Sequence, residues 1–203
     1  MSRKIAAFVM ASIAFSAGVA YAQESNQGPA LVEVTYMPAG AAYFQEKDNS
    51  PSFGNYGFGT GVTFNINRIF GIEGELAALL STTSDLQFGD LPSDIKAPNM
   101  LGYTANLVVS IPTGSSIVPY AAGGGGGLTM FERPALGIRE DETFLTGNVG
   151  GGVRWYAPNK RWGLRGDYRF VVTQSKDDAP AFFGRDSRYA HRVYGGVIIN
   201  TVR

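Results

Sequence analysis

The 203-residue chain carries no cysteine, one histidine and equal numbers of acidic and basic residues, which excludes a disulfide framework, thiolate chemistry and the basic excess of a nucleic-acid binder. Glycine is unusually abundant, with 27 residues against a typical share of about 7%. The chain is long enough to bury a sizeable core in one or two domains.

The first stretch, "MSRKIAAFVMASIAFSAGVAYAQ", sets Arg3 and Lys4 before an apolar run from Ile5 to Ala20 and ends in Ala20-Tyr21-Ala22. A basic start, an apolar middle and a small-x-small site are the marks of a cleavable secretory signal. The competing reading, a membrane anchor, needs about 20 apolar residues, and this run is shorter and rich in Ala and Ser. The expected organisation is therefore a signal peptide over 1–22 and one exported domain over 23–203. Removing the signal leaves fifteen basic against seventeen acidic residues.

Beyond it, apolar residues recur at period two, the spacing of a strand whose side chains point alternately to opposite faces. Eight segments read this way: 31–44, 55–67, 70–81, 100–111, 118–131, 144–157, 162–174 and 188–201. In the first, Pro38 removes a ladder donor and predicts a bulge. In the second, Tyr56, Phe58, Val62, Phe64 and Ile66 oppose glycine, threonine and asparagine. In the third, Ile72, Leu76, Ala78 and Leu80 oppose Glu73, Glu75 and Ala77; in the fourth, Leu101, Tyr103, Ala105, Leu107 and Val109 oppose Thr104, Asn106 and Ser110.

The fifth segment contains five consecutive glycines, Gly123 to Gly127. Alternation read through them puts Tyr120, Ala122, Leu128 and Met130 on the apolar face, and Ala121 and Thr129 on the other. The run misses both G-x-G-x-x-G and G-x-x-x-x-G-K-[ST], and no helix follows, so it does not read as a nucleotide loop. It reads as mid-strand, thinned for bulky neighbours, with Arg154, Arg165, Arg169 and Tyr194 as the expected bulk. In the seventh segment Trp162, Leu164, Tyr168 and Phe170 oppose Arg165, Asp167 and Arg169.

Short turns ("RI", "PTGSSI", "PNKR") alternate strictly with longer polar loops ("TTSDLQFGDLPSDIKAPN", "QSKDDAPAFFGRDS"). Even strand number, short/long alternation and an aromatic-rich apolar face are the pattern of an outer-membrane barrel. The fold class expected is all-β, an eight-stranded antiparallel up-and-down transmembrane β-barrel. The aromatic girdles are expected from Phe64, Phe70, Tyr120, Trp155 and Trp162 at the turn end, and Tyr43, Phe58, Tyr103, Phe170 and Tyr189 at the loop end, with Tyr168 between.

The stretches "NINRIFGIEGEL", "IPTGSSIVPYAAGGGGG", "VGGGVRWYAPNKRWGLRGDYRF" and "HRVYGGVIIN" resemble, in order and spacing, the small eight-stranded outer-membrane barrels typified by outer-membrane proteins A and X. The chain departs from that pattern in ending "NTVR" where many members have a terminal aromatic. The resemblance implies a bacterial outer membrane with lipid and lipopolysaccharide as surroundings, a monomer, and an external partner met through the loops. No nucleic acid, metal or cofactor is implied.

Strand parity points Glu33, Glu73, Glu75, Arg154, Arg165, Asp167, Arg169 and Arg192 to the barrel interior. Buried charges persist when paired, so Glu73 or Glu75 is expected to pair with Arg154, Arg165 or Arg169. A barrel of this size has room for little beyond its side chains, which favours a plug; the alternative is a switchable plug in a narrow, porin-like path. Phe182 and Phe183 sit in an external loop and are expected to be exposed, as a candidate contact site. His191 is the only imidazole available to a lipid-modifying Ser/His/acid set. Ser187, its nearest serine, lies about two pleats away, too far for a direct bond, and a rim histidine is the expected role. No catalytic residue is assigned.

Overall fold

The computed structural model describes residues 30–47, 50–81, 96–180 and 182–202, so the signal-peptide reading lies outside the described residues. Eight strands follow in chain order: β1 (Val32–Phe44), β2 (Phe53–Asn65), β3 (Phe70–Ser81), β4 (Met100–Ser110), β5 (Ile117–Met130), β6 (Glu142–Tyr156), β7 (Trp162–Gln174) and β8 (Arg188–Val202). Each pairs antiparallel with its sequence neighbour, and β1 pairs with β8, closing the barrel. Closure matters physically, because it leaves no strand with a row of unpaired backbone groups facing an apolar medium.

The outward faces carry the large apolar side chains. Tyr56, Phe64, Ile72, Leu107, Leu145, Val149, Leu164 and Val193 are exposed on strands from every side of the barrel. An apolar surface of this extent calls for a lipid environment. Of the aromatic set, Phe64, Phe70, Tyr103, Trp162, Tyr168 and Tyr189 are exposed, while Phe58, Trp155 and Phe170 are half-buried against neighbours on the same surface. Trp155 and Trp162 meet edge-to-face at 5.5 Å, and Phe170 stacks on Tyr189 at 5.9 Å.

β1 slips register between Met37 and Gly40 against β2, and between Tyr36 and Ala39 against β8. Pro38 lies inside both slips, the bulge its missing N–H requires.

Three sequence expectations are overturned, two of them by burial. Tyr120 is no girdle residue: it is 4% exposed, and Ala122, Leu128 and Met130 are buried with it while Ala121 faces out. The face of β5 is thus inverted relative to the period-two reading. Glycine and alanine supply half of this strand, so bulk cannot choose a side, and the tyrosine hydroxyl finds its partners inside. Phe182 and Phe183 are not exposed either. Both are 0% accessible, because their loop folds back over the barrel mouth.

That mouth holds the main apolar cluster. Phe44, Phe53, Phe144, Met100 and Met130 rise from the strands, and Ala97, Leu136, Ile138, Phe182 and Phe183 descend from three loops. Phe144 stacks on Phe183 at 4.5 Å, and Phe53 tilts against Phe182 at 5.1 Å.

The glycine run is mid-strand, but its close neighbours are not the arginines. A Cβ on Gly124 or Gly126 would strike the β4 carbonyls of Ala105 or Tyr103, and one on Gly127 would strike the Tyr103 ring. The Tyr194 ring instead lies over Gly40 and Gly57. The run lets β4 and β5 approach closely, rather than making room for lumen arginines.

Candidate functional site

Below the apolar cluster the interior becomes ionic. β3 and β7 are four strands apart in an eight-strand ring and so form opposite walls. β7 sends in Arg165, Asp167 and Arg169 at alternate positions, and β3 sends in Glu73 and Glu75. All five are at most 4% exposed.

Glu73 reaches across the lumen to both arginines. It pairs with Arg165 through Nη1 and, at 3.2 Å, through Nη2; Arg169 Nη2 lies 3.1 Å from its Oε1. Thr63 Oγ1 donates to the same carboxylate at 3.1 Å. Asp167 closes the ring, accepting from Arg165 Nη2 and Arg169 Nε, each at 2.8 Å. Two carboxylates thus hold two guanidinium groups, and each charge has charge-assisted hydrogen bonds on more than one side. This is the condition under which burial of a charge is tolerated.

Tyr120 locks this ring to β5. Its hydroxyl donates to Asp167 and accepts from Arg165 Nε at 2.7 Å. The guanidinium carbons of Arg154 and Arg165 lie 4.6 and 4.9 Å from its ring centre, a cation–π arrangement. On β6, Asn148 accepts from Arg169 Nη1 at 3.1 Å and passes the chain on to Asn106 at 2.9 Å.

Two further pairs flank the ring. Towards the turn end, Arg154 pairs with Glu33 at 3.2 Å, and the Tyr156 hydroxyl donates to the same carboxylate at 2.7 Å. Towards the loop end, Arg192 pairs with Glu75 and lies 5.0 Å from the Tyr194 ring centre. All eight residues that parity turned inward therefore lie inside the barrel, in three groups, of which the Arg154–Glu33 pair meets the central ring through the shared Tyr120 ring. Four carboxylates face four guanidinium groups, so the network is formally neutral.

The parity reading missed Tyr120, Tyr156, Asn106, Asn148 and Thr63 as members. Tyr120 reads as a surface residue because its body is apolar, and Tyr156 receives no place in the period-two reading. The uncharged amides gave no signal beyond their inward parity.

Arg188 stands apart. It is 1% exposed and, among the described residues, touches no carboxylate. It donates to the carbonyls of Pro51 (2.7 Å) and Phe183 (3.4 Å), and its guanidinium carbon lies 5.8 and 5.7 Å from the Phe53 and Phe183 ring centres. It pins the returning loop to the mouth. His191 lies half-buried on the outer face, with its ring nitrogens bonded to Tyr168 and Gln45, both at 2.7 Å.

A family model described as the outer membrane protein beta-barrel domain matches residues 7–191. The chain belongs to that family. No curated protein matches it. Among solved structures, neisserial surface protein A superposes with a TM-score of 0.56 at 17% identity, covering 86% of this chain and 99% of that one. The N-terminal barrel domain of Pseudomonas aeruginosa OprF gives 0.51 at 10% identity, covering 85% of this chain and all of that one. Ail, the attachment invasion locus protein of Yersinia pestis, solved with the heparin analogue sucrose octasulfate, gives 0.52 at 14% identity, covering 83% and 97%. At these identities the likeness is one of fold.

Proposed function

We propose that this chain is an exported, monomeric barrel of the bacterial outer membrane, with a closed lumen and a structural or surface-interaction role. The observation that carries the reading is the double filling of the interior. A neutral ring of ion pairs braces opposite walls, and an aromatic cluster drawn from strands and loops lies above it. A barrel of eight strands encloses little more than its own side chains, so both layers stand in the way of a solute.

Lipid and lipopolysaccharide then surround the aromatic outer face, and the loops are left to meet external partners. The loop stretches 45–52, 82–99, 131–141 and 175–187 contain eleven acidic and six basic residues. This composition favours a cationic or neutral partner over a sulfated one of the kind bound to Ail. A lipid-modifying activity finds no support at His191, whose ring nitrogens are engaged by Tyr168 and Gln45.

Planar-bilayer recording of the refolded chain tests the proposal. The expected result is membrane insertion, seen as a heat-modifiable gel band, without steady current steps. Reproducible openings that disappear on replacing Arg165 or Glu75 would establish the narrow pore instead.

A further inference from the structure

The four residues of the ionic ring, Glu73, Arg165, Asp167 and Arg169, are at most 4% exposed. Three inward residues nearer the loop end keep more accessible surface, Thr146 and Arg192 at 6% and Asn148 at 8%. With the lid above and the ring below, these three border a cavity of about 20 Å³ at the seam between the two layers. A cavity larger than about 10–15 Å³ has room for one water-sized occupant.

The wall of the seam is rich in donors. Arg192 reaches Glu75 through Nη2 alone, and a guanidinium can only donate. Asn148 Oδ1 is taken by Arg169 Nη1 at 3.1 Å, and its Nδ2 gives one proton to Asn106 at 2.9 Å, which leaves a second. Thr104 Oγ1 accepts from Asn106 Nδ2 at 3.2 Å and keeps its own proton to donate. Thr146 adds another hydroxyl, and among the described residues no carboxylate lines the cavity. Leu79 and Leu128 supply apolar wall.

The enclosed charge points the same way. The four carboxylates and four guanidinium groups of the network balance, and Arg188 is one buried cation more. Its guanidinium carbon lies 5.8 Å from the centre of the Phe53 ring, which stacks at 4.6 Å on Phe44, a residue of the cavity wall. A buried cation without a counter-charge is costly, and an anion close by offsets that cost.

We propose that the seam holds one small, unhydrated monovalent anion of halide size. Arg192, Asn148, Thr104 and Thr146 donate to it, and it supplies a counter-charge to Arg188. A water would fit the same volume but could not balance that charge. Binding here does not depend on whether the lumen conducts.

Crystals of the refolded chain grown from sodium bromide test this by anomalous scattering. The expected map shows a bromide peak within hydrogen-bond reach of Arg192 and Asn148. Gly102→Ala should remove the peak, because the added Cβ enters the cavity wall with nothing closer than 3.8 Å and Arg192 Nη1 among its neighbours. In solution, replacing gluconate by bromide at fixed ionic strength should raise the urea midpoint of the unaltered chain. Thr146→Val, which keeps the side-chain shape and deletes one donor, should shrink that gain, with the heat-modifiable band confirming that it folds. A water peak without anomalous signal at the seam, or the same midpoint gain in both variants as in the unaltered chain, would overturn the proposal.

Discussion

The upper and middle layers of the lumen fill similar space by opposite chemistry. At the loop end, Phe44, Phe53, Phe144, Phe182 and Phe183 pack ring against ring, with the Arg188 guanidinium beside two of them; one layer down, Glu73, Asp167, Arg165 and Arg169 hold one another by ion pairs, braced by Tyr120, Asn148 and Thr63. Apolar packing depends on volume and tolerates exchange between side chains of similar size. An ionic ring depends on completeness, because deleting one member strands the others in a medium that cannot solvate them. The two layers should therefore respond differently to the same kind of lesion.

The largest effect is expected at the ring. Glu73→Leu leaves Arg165 and Arg169 with Asp167 alone, and should lower unfolding stability by about 3–5 kcal/mol in urea titrations of the vesicle-embedded protein. Phe183→Leu, in the apolar layer, should cost about 1.5 kcal/mol or less by the same measurement. Equal costs would erase the distinction between the layers.

The barrel wall offers a smaller contrast. Gly126→Ala places a Cβ against the Tyr103 carbonyl and should cost about 1–3 kcal/mol, whereas at Gly74 nothing lies within 4 Å of the new atom and the change should stay within about 0.5 kcal/mol. If Gly126→Ala proved as mild as Gly74→Ala, close approach of β4 and β5 would not explain the glycine run.

How far the sequence reveals this arrangement depends on how strictly its residues alternate. On β3 and β7, carboxylates and arginines alternate with Ile, Leu, Tyr and Phe, so parity alone put Glu73, Glu75, Arg165, Asp167 and Arg169 on one side of the wall. The pairing that joins Glu73 to Arg165 and Arg169 needed more. It depends on β3 and β7 standing opposite each other and on the height set by register, which one strand's pattern does not encode. On β5 the small residues silence the pattern, and a tyrosine with an apolar body and a polar tip suits either face. Its inward place follows from Asp167 and Arg165, two strands away.

The buried loop phenylalanines were hidden by the rule that long loops stand in solvent. Three loops each carry an apolar piece, at Ala97, at Leu136 and Ile138, and at Phe182 and Phe183. Together they form a lid; singly, each is one or two apolar residues in an otherwise polar stretch.

We propose that the lumen is shut twice, by layers that act independently. The most direct test is planar-bilayer recording of the Phe182→Ser/Phe183→Ser variant. The lid is then broken while Glu73, Asp167, Arg165 and Arg169 remain below it, and the expected result is a membrane as silent as with the unaltered chain. Steady current steps from that variant would contradict it, showing that the ionic ring does not close the barrel.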